Sequence, residues 1–154
     1  MPASPASTPS STIAFIGGGN MASALIGGLV RAGRAPASIL AIDPGDAARA
    51  RLQADFGVRT QPAADAALAA AGLVVWAVKP QLFAEAAAPC AAHAAGALHL
   101  SVMAGIRSDA IARAMDVAPA AAHIVRSMPN TPALIGRGIA GLFATPAVSA
   151  GERA

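Results

Sequence analysis

The stretch Ile13-Ala14-Phe15-Ile16-Gly17-Gly18-Gly19-Asn20-Met21-Ala22 decides the fold of this chain. A short apolar run gives way to three glycines and then to a helix-like pattern. The spacing of Gly17, Gly19 and Ala22 is typical of a dinucleotide-binding βαβ unit, in which a tight turn lets the backbone approach a pyrophosphate. The amino end of the helix then faces the phosphates with free N–H groups. The alternative interpretation is a purely structural glycine turn.

Strand-like and helix-like segments alternate along the chain. This alternation predicts an α/β fold, Rossmann-like and doubly wound, with a mainly parallel sheet and helices on both faces. The predicted strands are Ile13–Ile16, Ile39–Ile42, Val58–Thr60, Leu73–Val78, Leu98–Val102, His123–Arg126 and Gly138–Phe143. The predicted helices are Met21–Ala32, Asp46–Phe56, Pro62–Ala71, Phe83–Ala95 with a kink at Pro89, and Ser108–Met115 with Ser108 as N-cap.

The composition fits one domain with a buried core. Of the 154 residues 55% are apolar and 12% are charged, and residues 1–11 are expected to form a disordered tail. The net charge of +3 comes from scattered arginines, so we do not expect nucleic-acid binding. Proline, histidine and glycine interrupt the uncharged stretch 86–106, so we do not expect a membrane span. The single cysteine, Cys90, is expected to be a buried thiol, and the three histidines lack metal-ligand spacing, so no metal is expected.

Asp43 is the first candidate for cofactor recognition. It closes the second predicted strand, 24 residues after Gly19. A carboxylate at this position accepts hydrogen bonds from the adenosine ribose and favours NAD over NADP. Arg49 and Arg51, on the next helix, would favour the opposite choice. The alternative is that Asp43 only forms the turn before Pro44-Gly45.

Three more motifs lie where strands end. They are Ala77-Val78-Lys79-Pro80, Ser101-Val102-Met103-Ala104-Gly105 and Ser127-Met128-Pro129-Asn130-Thr131-Pro132. Ligands of doubly wound sheets bind in the crevice at the carboxyl ends of the strands, so these segments are expected to share one site. The alternatives are a solvated loop lysine at Lys79 and a structural, proline-bounded loop after Ser127.

Taken together, the four motifs resemble those of pyrroline-5-carboxylate reductase. They occur in the order of that family and cover the chain from Ile13 to Phe143. The resemblance implies a cytoplasmic enzyme of proline biosynthesis. Such an enzyme uses NADPH or NADH to reduce the imine of a small-molecule substrate, 1-pyrroline-5-carboxylate, to L-proline.

The resemblance also implies a role for each motif. The cofactor-binding residues would be Ile16, Gly17, Gly18, Gly19, Asn20 and Met21 at the pyrophosphate, Asp43 at the adenosine ribose, Ala77, Val78, Lys79 and Pro80 at the middle, and Ala104 and Gly105 at the nicotinamide. The residues Met128, Asn130 and Thr131 would border the substrate pocket. Family members often carry Ser, Thr or Asn in place of Asp43, so the preference for NAD or NADP stays open. Many members also carry an Asn near the adenosine, where this chain has Ala63-Ala64.

The family further implies a second, helical domain that dimerises and grips the substrate. Residues 12–147 would be the NAD(P)-binding Rossmann domain, and residues 148–154 the start of that second domain, with Ser149 and Glu152 as its capping box. We therefore expect the full-length protein to form a homo-oligomer, and the 154-residue chain to bind cofactor without useful turnover. The alternatives are a related β-hydroxy-acid-type reductase, which the Met128–Pro132 loop disfavours, and a non-catalytic dinucleotide-binding or interaction module.

Overall fold

A computed structural model describes residues 11–129, 137 and 139–154 of the chain. These residues form a seven-stranded sheet with the order β3-β2-β1-β4-β5-β6-β7. The strands are β1 (Thr12–Ile16), β2 (Ile39–Ile42), β3 (Arg59–Gln61), β4 (Ala71–Trp76), β5 (Leu98–Ser101), β6 (Ile124–Pro129) and β7 (Ala140–Ala144). All neighbours pair in parallel except β6 and β7. The tail predicted for residues 1–11 lies outside the described residues except for Ser11.

Helices connect the parallel strands. They are α1 (Asn20–Arg31), α2 (Asp46–Phe56), α3 (Phe83–Ala87), α4 (Ala91–Ala94), α5 (Ser108–Ala114) and α6 (Ala150–Arg153). Short 3-10 turns occupy Pro36–Ser38, Ala66–Ala70, Pro80–Leu82, Ala88–Cys90 and Pro119–Ala121. The predicted α/β, Rossmann-like, mainly parallel fold is confirmed. The strand order reverses beside β1, which creates the crevice typical of doubly wound sheets.

The side chains of β1 alternate between the two faces of the sheet, and each face has its own buried core. Ile13 and Phe15 belong to one buried cluster and Ala14 and Ile16 to the other. The first cluster includes Ile26 of α1 and Leu52 of α2, whereas the second includes residues of α3, α4 and α5. Burial on both faces explains why the strands read as continuous apolar runs.

One row of paired residues marks the carboxyl edge of the sheet. Ile16 pairs with Ile42 on one side and with Trp76 on the other. Trp76 then pairs with Ser101, and Ser101 with Arg126. The segments that follow the first four of these residues leave the sheet at the same edge, as predicted for a shared site, whereas β6 continues to Pro129.

Several predicted element boundaries were wrong. Asp65 accepts a hydrogen bond from the Ala67 amide and starts a 3-10 turn, so Pro62–Ala71 is not an α-helix. β4 consequently begins at Ala71 and ends at Trp76. The N-cap of α5 is Arg107, with no side-chain cap, which places Ser108 inside the helix.

The end of β6 also differs from the prediction. Met128 pairs with Gly141 and Pro129 with Ala140, so antiparallel pairing with β7 extends the strand into the predicted loop. Leu142 and Phe143 of β7 expose 71% and 59% of their surface, which leaves an apolar edge strand. Among the described residues, no helix has the length and hydrophobicity to cross a bilayer.

Three local predictions are confirmed. Cys90 is buried as a free thiol, and burial raises its pKa to about 11. The predicted break in the helix near Pro89 is the 3-10 turn between α3 and α4. The capping box of Ser149 and Glu152 is also present at the start of α6.

A buried tryptophan–histidine pair lies between β4 and β5. Trp76 Nε1 donates a hydrogen bond to His99 Nδ1 at 3.0 Å, and the two rings are stacked. His99 is only 3% exposed. Burial lowers the pKa of His99 from 6.5 to about 4, although the Ala94 carbonyl acts in the opposite direction. The imidazole is therefore neutral in the folded protein at neutral pH.

This pair makes stability depend on pH. Between pH 6.5 and pH 5 the unfolded chain protonates His99 and the folded chain does not, so the free energy of unfolding should fall by about 2 kcal/mol as pH falls. Urea unfolding at several pH values measures this slope. His99→Gln should flatten it, whereas His93→Gln should retain it. An identical slope in wild type and His99→Gln would contradict the prediction.

Candidate functional site

Gly17 makes the tightest contact of the site. Its φ is +104°, and a Cβ placed on it would lie 2.5 Å from the carbonyl oxygen of Ala77. The Gly17 amide donates to the carbonyl of Ile42 at 2.8 Å, and the Ala77 amide donates to the carbonyl of Ile16 at 2.8 Å. Only glycine fits here, because any side chain would meet the backbone that leaves β4.

Gly19 is a glycine for a different reason. It is the N-cap of α1, with φ −79° and ψ −162°, a conformation open to other residues. A Cβ at Gly19 would meet nothing within 4 Å among the described residues, and no side chain caps the helix. The turn therefore leaves an open cradle at the amino end of α1, which fits the predicted binding of a pyrophosphate.

Asp43, the residue after β2, holds the glycine turn in place. Its Oδ2 accepts a hydrogen bond from the Gly18 amide at 2.8 Å, and its Oδ1 accepts one from the Gly45 amide at 2.7 Å. The second bond is the turn that the alternative interpretation anticipated. The first, across 25 positions, ties the glycine turn to the end of β2 and was not predicted. The contact of Asp43 with the ribose stays a prediction.

Two arginines of α2 contact Asp43 and the glycine turn. Arg49 Nη1 donates to the carbonyl of Asp43 at 2.7 Å and also forms an ion pair with Asp46. Arg51 Nη2 donates to the carbonyl of Gly18 at 3.2 Å. The carboxyl end of β2 thus presents one carboxylate beside two guanidinium groups, which keeps both cofactor preferences chemically open.

The remaining predicted residues lie along the same edge of the sheet. Lys79 is exposed and caps the 3-10 turn Pro80–Leu82. The amide of Val102 donates to the Trp76 carbonyl at 3.1 Å, which holds the segment after β5 against β4. Ala104 and Gly105 are exposed beyond it, and Gly105 has a φ of +75°.

The predicted substrate border is described only in part. Met128, in β6, exposes 51% of its surface. Asn130 and Thr131 lie outside the described residues. Direct contacts therefore unite the glycine turn, Asp43 and Ala77, whereas Ala104, Gly105 and Met128 share only the edge of the sheet.

Residues 12–105 match the sequence profile of the family described as NADP oxidoreductase, coenzyme F420-dependent. The chain belongs to this family. The profile covers β1 to the segment after β5, and so includes the glycine turn, Asp43 and the Ala77–Pro80 segment.

Known proteins confirm the resemblance to pyrroline-5-carboxylate reductases. The chain is 44% identical to the Haemophilus influenzae pyrroline-5-carboxylate reductase over 133 residues, which are 86% of this chain and 48% of that protein. It is similar to the solved Coxiella burnetii pyrroline-5-carboxylate reductase, with a TM-score of 0.84 and 30% identity over 93% of this chain and 53% of that one. A Plasmodium falciparum pyrroline carboxylate reductase, solved with NADP bound, shares the fold at a TM-score of 0.78 and 21% identity, over 94% of this chain and 52% of that one. The chain spans about half the length of these relatives.

Alanine substitutions at Gly17 and Gly19 should have different effects on the stability of the fold. Gly17→Ala combines an unfavourable φ with a clash against backbone, so it should lower the free energy of unfolding by about 3 kcal/mol or more. Gly19→Ala faces open space and should change it by less than about 0.5 kcal/mol. Urea denaturation followed by circular dichroism measures both. Equal losses in the two variants would contradict the packing described for the turn.

Proposed function

We propose that this chain is the NAD(P)H-binding domain of a pyrroline-5-carboxylate reductase. The observation that carries the proposal is the cradle at Gly19, where a glycine is not needed for folding and a Cβ would occupy otherwise open space. A dinucleotide pyrophosphate uses such space together with the amide groups of a helix amino end. The similarity to pyrroline-5-carboxylate reductases supports the choice of substrate.

The residues of the turn fit the cofactor. Residues 16–21 would hold the pyrophosphate through backbone amides, and Asp43 would lie beside the adenosine ribose. Each carboxylate oxygen of Asp43 accepts one backbone hydrogen bond, and a carboxylate offers about four acceptor sites, so ribose hydroxyls can still bind. The pairing of NADP with the Plasmodium enzyme, and the guanidinium groups of Arg49 and Arg51, support NADPH as the first cofactor to test.

The proposed reaction is reduction of 1-pyrroline-5-carboxylate to L-proline. When bound, the dihydronicotinamide supplies a hydride to the imine carbon. The chain would orient the cofactor through residues 77–80 at its middle and through Ala104 and Gly105 at its ring, where small residues allow close approach. Met128, Asn130 and Thr131 would border the substrate.

The proposed domain organisation rests on the greater length of the relatives. Residues 12–147 would form the cofactor domain, and residues 148–154 the first turn of a helical dimerisation domain. The capping box of α6 supports a helix beginning there. Imine reduction would then need the half of the relatives' length that this chain does not match, in a cytoplasmic homo-oligomer.

Cofactor binding is the first test. Titration with NADPH, followed by nucleotide fluorescence, should show saturable binding, and Gly19→Ala should weaken it by tenfold or more because its Cβ enters the pyrophosphate cradle. The matched control is Gly28→Ala, which adds the same methyl group to α1 where nothing lies within 4 Å. Absence of binding, or equal affinity in both variants, would contradict the proposal.

A chimera tests the reaction itself. Residues 1–147 joined to the unmatched half of the Haemophilus relative should oxidise NADPH when 1-pyrroline-5-carboxylate is added, and should form L-proline. The 154-residue chain alone should show at most a small fraction of that rate, and the chimera carrying Gly19→Ala should lose it. A chimera that binds NADPH without imine reduction would favour the non-catalytic alternative instead.

A further inference from the structure

Ser101 places a buried hydroxyl at the carboxyl edge of the sheet. It is the last residue of β5, pairs with Trp76 of β4, and is only 1% exposed. Alanine would fill this position with almost the same volume, and a buried hydroxyl costs free energy unless it forms a hydrogen bond. The hydrogen bond that this hydroxyl forms therefore indicates what the residue does.

The hydroxyl of Ser101 holds the chain as it leaves β5. Its Oγ accepts a hydrogen bond from the amide of Met103, two residues further on, at 3.2 Å. Met103 is buried and belongs to the cluster on the face of α3, α4 and α5. Its amide has no backbone acceptor in the described part of the chain, so Ser101 Oγ supplies the bond that this buried donor needs.

Two consecutive amides thus fix the start of the segment after β5. The Val102 amide donates to the Trp76 carbonyl at 3.1 Å, and the Met103 amide donates to Ser101. Residues 104–105 follow at once and are exposed, with a φ of +75° at the glycine. Without the hydroxyl the buried Met103 amide would lack an acceptor, which costs free energy, so we expect this segment to rearrange.

We propose that Ser101 is a positioning residue for the nicotinamide end of the cofactor. This inference rests on the proposed function, in which the nicotinamide lies against Ala104 and Gly105. Because Ser101 is buried, it touches no ligand itself and acts through the segment that it holds. Asp43 has the same relation to the glycine turn, where its carboxylate accepts a hydrogen bond from the Gly18 amide. In each case one side-chain oxygen fixes a backbone amide next to a predicted contact with the cofactor.

The effect of Ser101 should be confined to one end of the cofactor. Two strand spacings separate β1 from β5, so Ser101 lies about 10 Å from Ile16, the residue before the glycine turn. The amides of Gly17 and Gly18 hold that turn to the end of β2, not to β5. Loss of the Ser101 hydroxyl should therefore disturb the ring of a bound dinucleotide and leave its pyrophosphate in place.

Ligands with and without the nicotinamide measure this difference. Calorimetry on the 154-residue chain gives the affinities for NADPH and for 2′-phospho-ADP-ribose, which lacks the nicotinamide. Ser101→Ala should weaken NADPH binding about fivefold or more, because a displaced segment no longer supports the ring, while the affinity for 2′-phospho-ADP-ribose stays within about twofold of wild type. The fluorescence emission of bound NADPH should also shift toward that of free NADPH. A general loss of stability would weaken the binding of both ligands alike.

A control and an alternative variant accompany Ser101→Ala. Ser108→Ala removes a hydroxyl from the first residue of α5, outside the segment that Ser101 holds, and should leave both affinities unchanged. If Ser101→Ala does not fold, Ser101→Cys replaces the oxygen with sulfur, which is a weak acceptor. That variant should also weaken NADPH binding more than binding of 2′-phospho-ADP-ribose.

Hydrogen exchange tests the hydrogen bond without any ligand. The Met103 amide should exchange at least about tenfold faster in Ser101→Ala than in wild type, because it loses its acceptor. An unchanged exchange rate would overturn the role of Ser101.

The binding outcomes separate this inference from the proposed function. A chain that binds NADPH, with the same ratio of the two affinities in wild type and Ser101→Ala, would overturn the role of Ser101 and leave the proposed function standing. A wild-type chain that binds neither ligand would contradict the proposed function, and this inference with it.

Discussion

The contact between Gly17 and the Ala77 carbonyl is the constraint on which the site depends. A Cβ at residue 17 would lie 2.5 Å from that oxygen, so only a glycine lets the end of β1 come this close to the segment that leaves β4. The passage fixes the direction in which the chain enters α1. The amino end of α1 is thereby placed over the reversal of strand order, where the crevice opens. A backbone contact thus positions a helix, and the helix positions the cradle.

Hydrogen bonds hold the cradle in place from two sides. Asp43 accepts hydrogen bonds from the amides of Gly18 and Gly45, so the carboxylate holds the second glycine of the turn against the end of β2. Charge-assisted bonds of this type are among the stronger ones in proteins. Arg51 holds the carbonyl of the same glycine from α2. A preformed cradle loses little conformational entropy on binding, and its affinity depends mainly on backbone geometry.

Sequence patterns predicted the fold better than the site. The bounds of β2 and α2 were predicted to the residue, because an apolar run ended by Asp43 and a helix ended by Gly57 are local signals. Ser108 as a cap and Met128 as a loop residue were wrong, since both depend on neighbours distant in sequence. The hydrogen bond between Asp43 and Gly18 spans 25 positions, and the one between Trp76 and His99 spans 23. Such tertiary contacts leave no periodic trace in the sequence.

A cradle of backbone amides recognises a pyrophosphate but cannot distinguish one reductase from another. Selectivity must therefore come from side chains such as Asp43 and the arginines of α2, which lie beside β2. Four strand spacings, or about 19 Å, separate β2 from β6. Since that distance exceeds the Debye length of about 8 Å at physiological ionic strength, charges at one end act weakly on the other. Side-chain changes at the β2 end and at the β6 end should then have free-energy effects that add.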